Sequence, residues 1–195
     1  DVSNEADVQR VVDFALTRHG RIDGLVNNAA IGPLGTVLDT DAALFARIQA
    51  VNVTGVFLMS RAVIPQMRLQ GGGSIVNIGS GAGWGKPNMA AYAASKGGVL
   101  SFTHSLALEY SKQGLRAVNI QPGGVSTALA NTTLDKMPDG YDLGLWMKQT
   151  PLLHGQTSEI LGDPSAVAAV IAMVASDDGA FITGTEIRVD GAALA

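Results

Sequence analysis

Tyr92 and Lys96 stand four residues apart in an alanine-rich run, and Ser80 precedes them just past a short β-branched stretch, Ser74–Ile78. Positions i and i+4 share one helix face, so a phenol and an ammonium reach the same point. A serine arriving from the carboxyl end of a strand brings a hydroxyl there as well. Three such groups suit proton transfer to or from a substrate oxygen. A free tyrosine titrates near ~10 and is a poor base at neutral pH. Lowering that value by ~3 units takes about 4 kcal/mol, which one cation ~4 Å away supplies at an effective dielectric of ~20. On this reading Lys96 makes Tyr92 a proton shuttle. The competing reading is a solvated helix face, because Tyr-x-x-x-Lys spacing alone is common.

The elements that must hold these groups follow from the patterning. A strand over Ser74–Ile78 runs into a loop with Ser80, Gly81, Gly83 and Gly85, then a helix from about Ala90 to Gln113 that buries Val99, Leu100, Phe102, Leu106 and Leu108 and closes at Gly114. Upstream, Ser3 or Asn4 caps a helix with Val8, Val11, Val12, Ala15 and Leu16 on one face, ended by Gly20. Ile22–Val26 reads as a strand that stops in Asn27-Asn28-Ala29-Ala30, small and amide residues that leave room for a flat ligand. Thr40 or Asp41 caps a helix running through Leu44, Phe45, Ile48 and Val51-Asn52-Val53 towards Met67, with Asn52 interrupting its apolar face.

Arg116–Gln121 is a further strand, broken by Pro122-Gly123-Gly124. Val125–Gly162 is uneven and rich in Met, Trp, Tyr and Pro, which reads as a mobile flap over a site. Pro164 opens a helix over Ser165–Ser176, and Phe181–Val189 is a last strand. Alternating strands and helices predict an α/β fold: a doubly wound parallel sheet, Rossmann-like and three-layered, with ligands at the strands' carboxyl ends.

At 195 residues with 47% hydrophobic content and 24 glycines, the chain is expected to be a single domain with a sizeable core. It has no cysteine, which excludes disulfides and thiolate metal sites and fits a reducing, cytoplasmic compartment. Net charge is −4 with pI near 5.2, and no Lys/Arg run exists to track a phosphate backbone, so nucleic acid is not an expected partner. The longest apolar run, Ala166–Ala175, falls short of the ~20 residues a bilayer span requires, so no membrane partner is expected either. His19, His104 and His154 lack metal-ligand spacing, and His19 beside Gly20 reads as a helix C-terminal cation. Trp84, Met89, Leu129, Met137, Tyr141, Trp146 and Met147 read either as a bulky apolar substrate pocket or as plain core.

Taken together, these residues resemble the short-chain dehydrogenases/reductases from Asp1 to the last strand. Asp1-Val2 is similar to that family's adenine-contacting pair, and Asn27-Asn28-Ala29-Ala30 to its Asn-Asn-Ala-Gly motif, with Ala30 replacing the last glycine. Asn52 follows Val51 as the family's helix asparagine does; Ser80, Tyr92 and Lys96 match its catalytic trio. Pro122-Gly123 with Thr127 matches Pro-Gly-x-x-x-Thr, and Thr183-Gly184 and Val189-Asp190-Gly191 match its C-terminal pattern. The resemblance implies an NAD- or NADP-dependent enzyme interconverting a secondary alcohol and a ketone. It implies that Tyr92 exchanges the proton, Ser80 binds the substrate oxygen, Lys96 lowers the tyrosine pKa and holds the nicotinamide ribose, and the Asn52 carbonyl positions a relay water. Val125 and Thr127 would fix the carboxamide. Asp1, Val2, Asn28, Ala29, Ala30, Ile78, Pro122 and Gly123 would complete the cofactor side, and Ser80, Gly81, Trp84, Met89, Leu129 and Trp146 the substrate side. A homo-oligomer, tetramer or dimer, is implied through the Tyr92 helix and the last strand.

Three departures qualify the match. No Gly-x-x-x-Gly-x-Gly turn occurs, so a βαβ unit with a further helix and strand is expected to precede Asp1 in a longer protein. The strand Ile22–Val26 would otherwise be an exposed apolar edge. The Ser80–Tyr92 loop is one residue shorter than is common, which reshapes the pocket near Trp84, and Asn119 stands one place later than the family's strand asparagine. The alternative function is a non-catalytic fragment or interaction subunit of such an enzyme.

Overall fold

A computed structural model describes residues 1–130, 141–153 and 161–195. Helix α1 (Glu5–His19) begins where the Asn4 side chain accepts from the Asp7 N–H and ends at Gly20, whose φ of 73° is left-handed. Glu5 and Asp7 in its first turn and Arg18 and His19 in its last complement the helix dipole. There follow β1 (Gly24–Asn27), α2 (Ala42–Gln49), a π-helical turn (Ala50–Thr54), α3 (Gly55–Leu69), β2 (Gly73–Ile78), α4 (Ala90–Tyr110), β3 (Leu115–Pro122), α5 (Leu143–Met147), α6 (Pro164–Ala175) and β4 (Thr185–Val189).

The four strands are parallel in the order β1-β2-β3-β4, with Leu25 opposite Ile75, Ile75 opposite Ala117, and Ile120 opposite Ile187. Alternation along each strand sends Leu25, Ile75, Leu115 and Ala117 to one face, where they pack on Val63, Ile64 and Met67 of α3 and Leu106 and Ala107 of α4. Val76, Ile78, Val118 and Ile120 point to the other face, against Val167 and Val174 of α6. Both faces are thus covered, the Rossmann-like arrangement expected of near-continuous β-branched strands. A polar line crosses the first layer. Asn27 Nδ2 donates to Asn77 Oδ1 at 2.8 Å, and Asn77 Nδ2 donates to Thr103 Oγ1 at 2.9 Å, so adjacent strands and α4 are keyed by amides.

Two strand starts move from expectation, and the second helix gains a turn of another kind. β1 starts at Gly24, because the Gln70 amide captures the Ile22 backbone, accepting from its N–H at 3.3 Å and donating to its carbonyl at 2.6 Å. The last strand starts at Thr185, because residues after the 3₁₀ turn Asp177–Gly179 turn again before the Thr183 hydroxyl and Gly184 N–H reach Ala117; Phe181 is left fully exposed. The long second helix is continuous but contains the π turn. Val26 on β1 is 44% exposed, and no strand among the described residues pairs with that edge. By length and composition the 28-residue helix Ala42–Leu69 would pass for a membrane span. Its sheet-facing Val63, Ile64 and Met67, with buried Asn52 and Ser60, make it a core helix instead.

Candidate active site

The Gly79 N–H donates to the Ile120 carbonyl at 2.7 Å, prolonging the β2–β3 ladder by one residue, and Ser80 then leaves the sheet in extended backbone. Its Oγ accepts from the Ala82 N–H at 3.1 Å and so caps a 3₁₀ turn, Gly81–Trp84. That turn lies directly on α4: a Cβ on Gly83 would sit 3.2 Å from the Gly97 nitrogen. Glycine eases this close approach, which sets Ser80 beside the first turns of α4. There Tyr92 and Lys96 are 8% and 4% exposed. From the opposite side Gly32 presses on the phenol, with room for a Cβ only 3.1 Å from the ring.

Electrostatically the trio differs from the sequence expectation. Lys96 Nζ donates to the Ile78 carbonyl at 2.7 Å and lies 5.6 Å from the Tyr92 ring centroid. Burial raises the Tyr92 pKa above its ordinary value, and contact with the Ser80 hydroxyl pulls the other way. Burial also lowers Lys96 from 10.5 to about 8. The expected lowering of the phenol by the ammonium is therefore absent: desolvation sets the direction, and Lys96, which directs one of its three N–H groups at a strand carbonyl, does not reverse it.

A cleft of about 830 Å³ opens over the carboxyl ends of the strands, and Ser80, Tyr92 and Lys96 share its wall. Asn28, Ala29 and Ala30 line it after β1, Ile78 after β2, and Pro122, Gly123, Val125 and Thr127 after β3. Asp1 and Val2 stand apart. Val2 borders a separate cavity of about 80 Å³ that shares Asn28 and Ala29 with the cleft. The Asp1 carboxylate is occupied by the Ser3 hydroxyl at 2.7 Å and by Arg47 at 3.2 Å. Asn52 does not line the cleft. It is 1% exposed and bonds the Ile31 backbone and the Ser95 hydroxyl, which in turn donates to the Tyr92 carbonyl at 2.7 Å.

On the side away from the sheet, Gly81, Met89, Leu129 and Trp146 line the cleft. Trp84 does not: it is 57% exposed, its indole N–H donates to Gln121 Oε1 at 3.1 Å, and Arg188 lies 6.0 Å from its ring. One 3₁₀ turn separates it from Gly81, so it projects over the β3 and β4 ends. The segment 125–162 is tied down in its described parts. Val125 bridges to Gly162, the Tyr141 hydroxyl donates to the Asn88 carbonyl at 3.1 Å, and Gln149 Nε2 donates to the Gly85 carbonyl at 2.9 Å. Met137 and His154 lie outside the described residues. His104 faces Glu186 at 3.4 Å, away from the cleft. Among the cleft residues that sequence reasoning missed are Lys86, hidden in the glycine-rich loop, Gln149, and Leu194, whose Cδ1 lies 2.8 Å from where a Gly81 Cβ would be. Only the Val189-Asp190-Gly191 match hinted that the chain returns here.

The cleft suits the nicotinamide end of a dinucleotide. Asn28, Ala29 and Ala30 give it a low wall at a strand end, Lys96 offers ammonium protons beside the phenol, and Thr127 faces in from the Pro-Gly turn. Fold and site together define a nicotinamide-dependent oxidoreductase of the doubly wound class. A family model described as "Enoyl-(Acyl carrier protein) reductase" matches residues 1–192. The 2-(S)-hydroxypropyl-CoM dehydrogenase 3 of Xanthobacter autotrophicus is 39% identical over 193 residues, 98% of this chain and 73% of that protein. Its inactive 2-(S)-hydroxypropyl-CoM dehydrogenase 2 is also 39% identical, over 98% of this chain and 81% of that protein. The crystal structure of 3-ketoacyl-(acyl-carrier-protein) reductase from Brucella melitensis complexed with NADH superposes with a TM-score of 0.86 at 35% identity, covering 99% of this chain and 76% of that one. The chain belongs to the short-chain dehydrogenase/reductase family, and its cofactor is NAD or NADP.

Proposed function

We propose that the chain carries the catalytic centre of an oxidoreductase that interconverts a secondary alcohol and a ketone, with Tyr92 moving the proton. The observation that carries this reading is the meeting of Ser80, Tyr92 and Lys96 on one cleft whose other wall suits nicotinamide. Bound nicotinamide supplies the hydride acceptor or donor. Ser80 and Tyr92 hold the substrate oxygen. Because burial keeps the phenol protonated, Tyr92 serves as the acid in ketone reduction, and Lys96, titrating at about 8, is the group able to resupply or accept its proton near neutral pH. Asn52 acts by position, fixing the loop after β1 against α4 through Ile31 and Ser95.

Relatives of equal identity include one named inactive, so turnover has to be measured. Titration with NADH and NADPH, followed by ketone reduction, is the test. Coenzyme oxidation that depends on ketone and on Tyr92 supports the reading. Coenzyme binding with no turnover on any ketone favours the non-catalytic alternative. We further propose self-association through α4 and the last strand, where Leu108 (87%) and Phe181 just before β4 (102%) are exposed; light scattering giving a monomer would reject it.

A further inference from the structure

Lys86 sits on the cleft wall in the loop between Ser80 and Tyr92, half-buried, with its ammonium 4.3 Å from the centre of the Trp146 ring. No carboxylate pairs with it among the described residues. Burial holds its pKa below the ordinary lysine value. Trp146 is 8% exposed, and its indole N–H has no hydrogen-bond partner among the described residues. The neighbouring Gly85 and Asn88 carbonyls each already accept from another side chain, the Gln149 amide at 2.9 Å and the Tyr141 hydroxyl at 3.1 Å. The cleft's other formal charges lie elsewhere, Lys96 beneath Tyr92 and Asp190 against Gly123. This corner therefore sets one positive charge without a carboxylate on the wall of the space that contains the proton-transfer groups, with an unsatisfied indole N–H buried beside it.

An unpaired, partly desolvated cation beside an unsatisfied donor is matched by an oxyanion, which accepts from both. We propose that Lys86 and Trp146 form the anion-binding end of the substrate site, so that the preferred substrates are ketones or secondary alcohols bearing a carboxylate or comparable oxyanion. Met89 and Leu129 line the apolar stretch of the same cleft and would flank the carbon skeleton. This rests on the proposed ketone chemistry for where the reacting carbon lies, but the anion site itself can be read without turnover.

The test compares levulinate and acetoacetate with their methyl esters, in the presence of coenzyme, for the unaltered chain and for Lys86→Met, Lys86→Arg and Trp146→Phe. The expected result is that Lys86→Met lowers kcat/KM for the keto acids about 10- to 100-fold, mainly through KM, while the esters change less than about twofold; Lys86→Arg retains most of the preference. Trp146→Phe keeps the aromatic platform, removes the N–H and loses part of it. Equal loss on acids and esters, or an unaltered chain that prefers esters, overturns the proposal. If no ketone is turned over, the redox reading fails by itself and tryptophan fluorescence decides the anion site. In a Trp84→Phe background, a saturable change with levulinate, absent with its methyl ester and abolished by Lys86→Met, upholds it. The same response to both compounds, or to neither, refutes it.

Discussion

Asn52 and Ile31 exchange two hydrogen bonds: the Asn52 Nδ2 donates to the Ile31 carbonyl and the Ile31 N–H donates to Oδ1, each at 2.9 Å. One side-chain amide thus stands in for a neighbouring strand, and a third bond from Nδ2 reaches Ser95 Oγ at 3.0 Å. The residue can do this because it lies in the π turn between α2 and α3 and faces into the fold at 1% exposure. The loop that carries Asn28, Ala29 and Ala30 is in this way registered against the helix that carries Tyr92.

Replacing Asn52 by alanine strands the Ile31 backbone groups in the interior, so a destabilisation of about 1–3 kcal/mol is expected in urea unfolding. The coenzyme dissociation constant should rise as well, since the loop after β1 loses its tether. Asn52→Asp keeps the acceptor, loses both donations and buries a charge, and should be worse than alanine. An alanine variant with unchanged stability and unchanged coenzyme affinity would show the pair to be incidental.

Lys96 sets a pH dependence of opposite sign to that of a salt-bridged lysine. Its pKa falls from 10.5 to about 8 on folding, so the buried ammonium weakens the fold fully below pH 8, and this penalty is relieved as pH climbs from 8 to 10.5. The shift corresponds to roughly 3 kcal/mol, part of which the bond to the Ile78 carbonyl offsets. Lys96→Met should therefore raise unfolding stability by about 1–3 kcal/mol at neutral pH, with the gain shrinking towards pH 10, while turnover is lost. A gain that is equal at both pH values would break the link to this titration.

Tyr92→Phe removes only the phenolic oxygen from a site where burial already opposes its ionisation. Turnover should fall by about 10²–10⁴, the usual range for a lost general acid, with coenzyme affinity nearly unchanged. Near-normal rates in the phenylalanine variant would move the proton chemistry to another group.

Much of this was legible from residue order. Helix α1 is written in Asn4 and Gly20, α6 in Pro164, and the two-faced sheet in the β-branched runs, because caps and alternation are local signals. What was not legible depends on contacts distant in sequence. Gln70 shortening β1, the C-terminal return of Leu194 over Gly81, and Trp84 swinging onto Gln121 are each decided by a partner far along the chain. The sign of the Tyr92 shift was missed for a related reason: spacing places a cation near a phenol, but only the fold shows that the ammonium also bonds the Ile78 carbonyl and that both groups are desolvated. Lys86 carried no motif at all, and only its loop's path over the cleft distinguishes it from a surface lysine.

Gly79 and Asn119 supply the last expectation. Asn119 is fully buried, with neither Oδ1 nor Nδ2 partnered among the described residues, and a Cβ on Gly79 would lie 2.3 Å from that Oδ1. The amide therefore occupies the space a side chain at residue 79 would need, directly before Ser80. Gly79→Ala should destabilise by about 1–3 kcal/mol through overpacking and displace Ser80 enough to reduce kcat. Asn119→Ala removes the obstructing amide, an unsatisfied buried group whose loss offsets part of the cavity it leaves. In the double variant the two changes should couple favourably by about 1 kcal/mol or more, with kcat partly restored. Strict additivity of the two stability changes would mean that the backbone before Ser80 relaxes freely, and that Asn119 has no part in placing the serine.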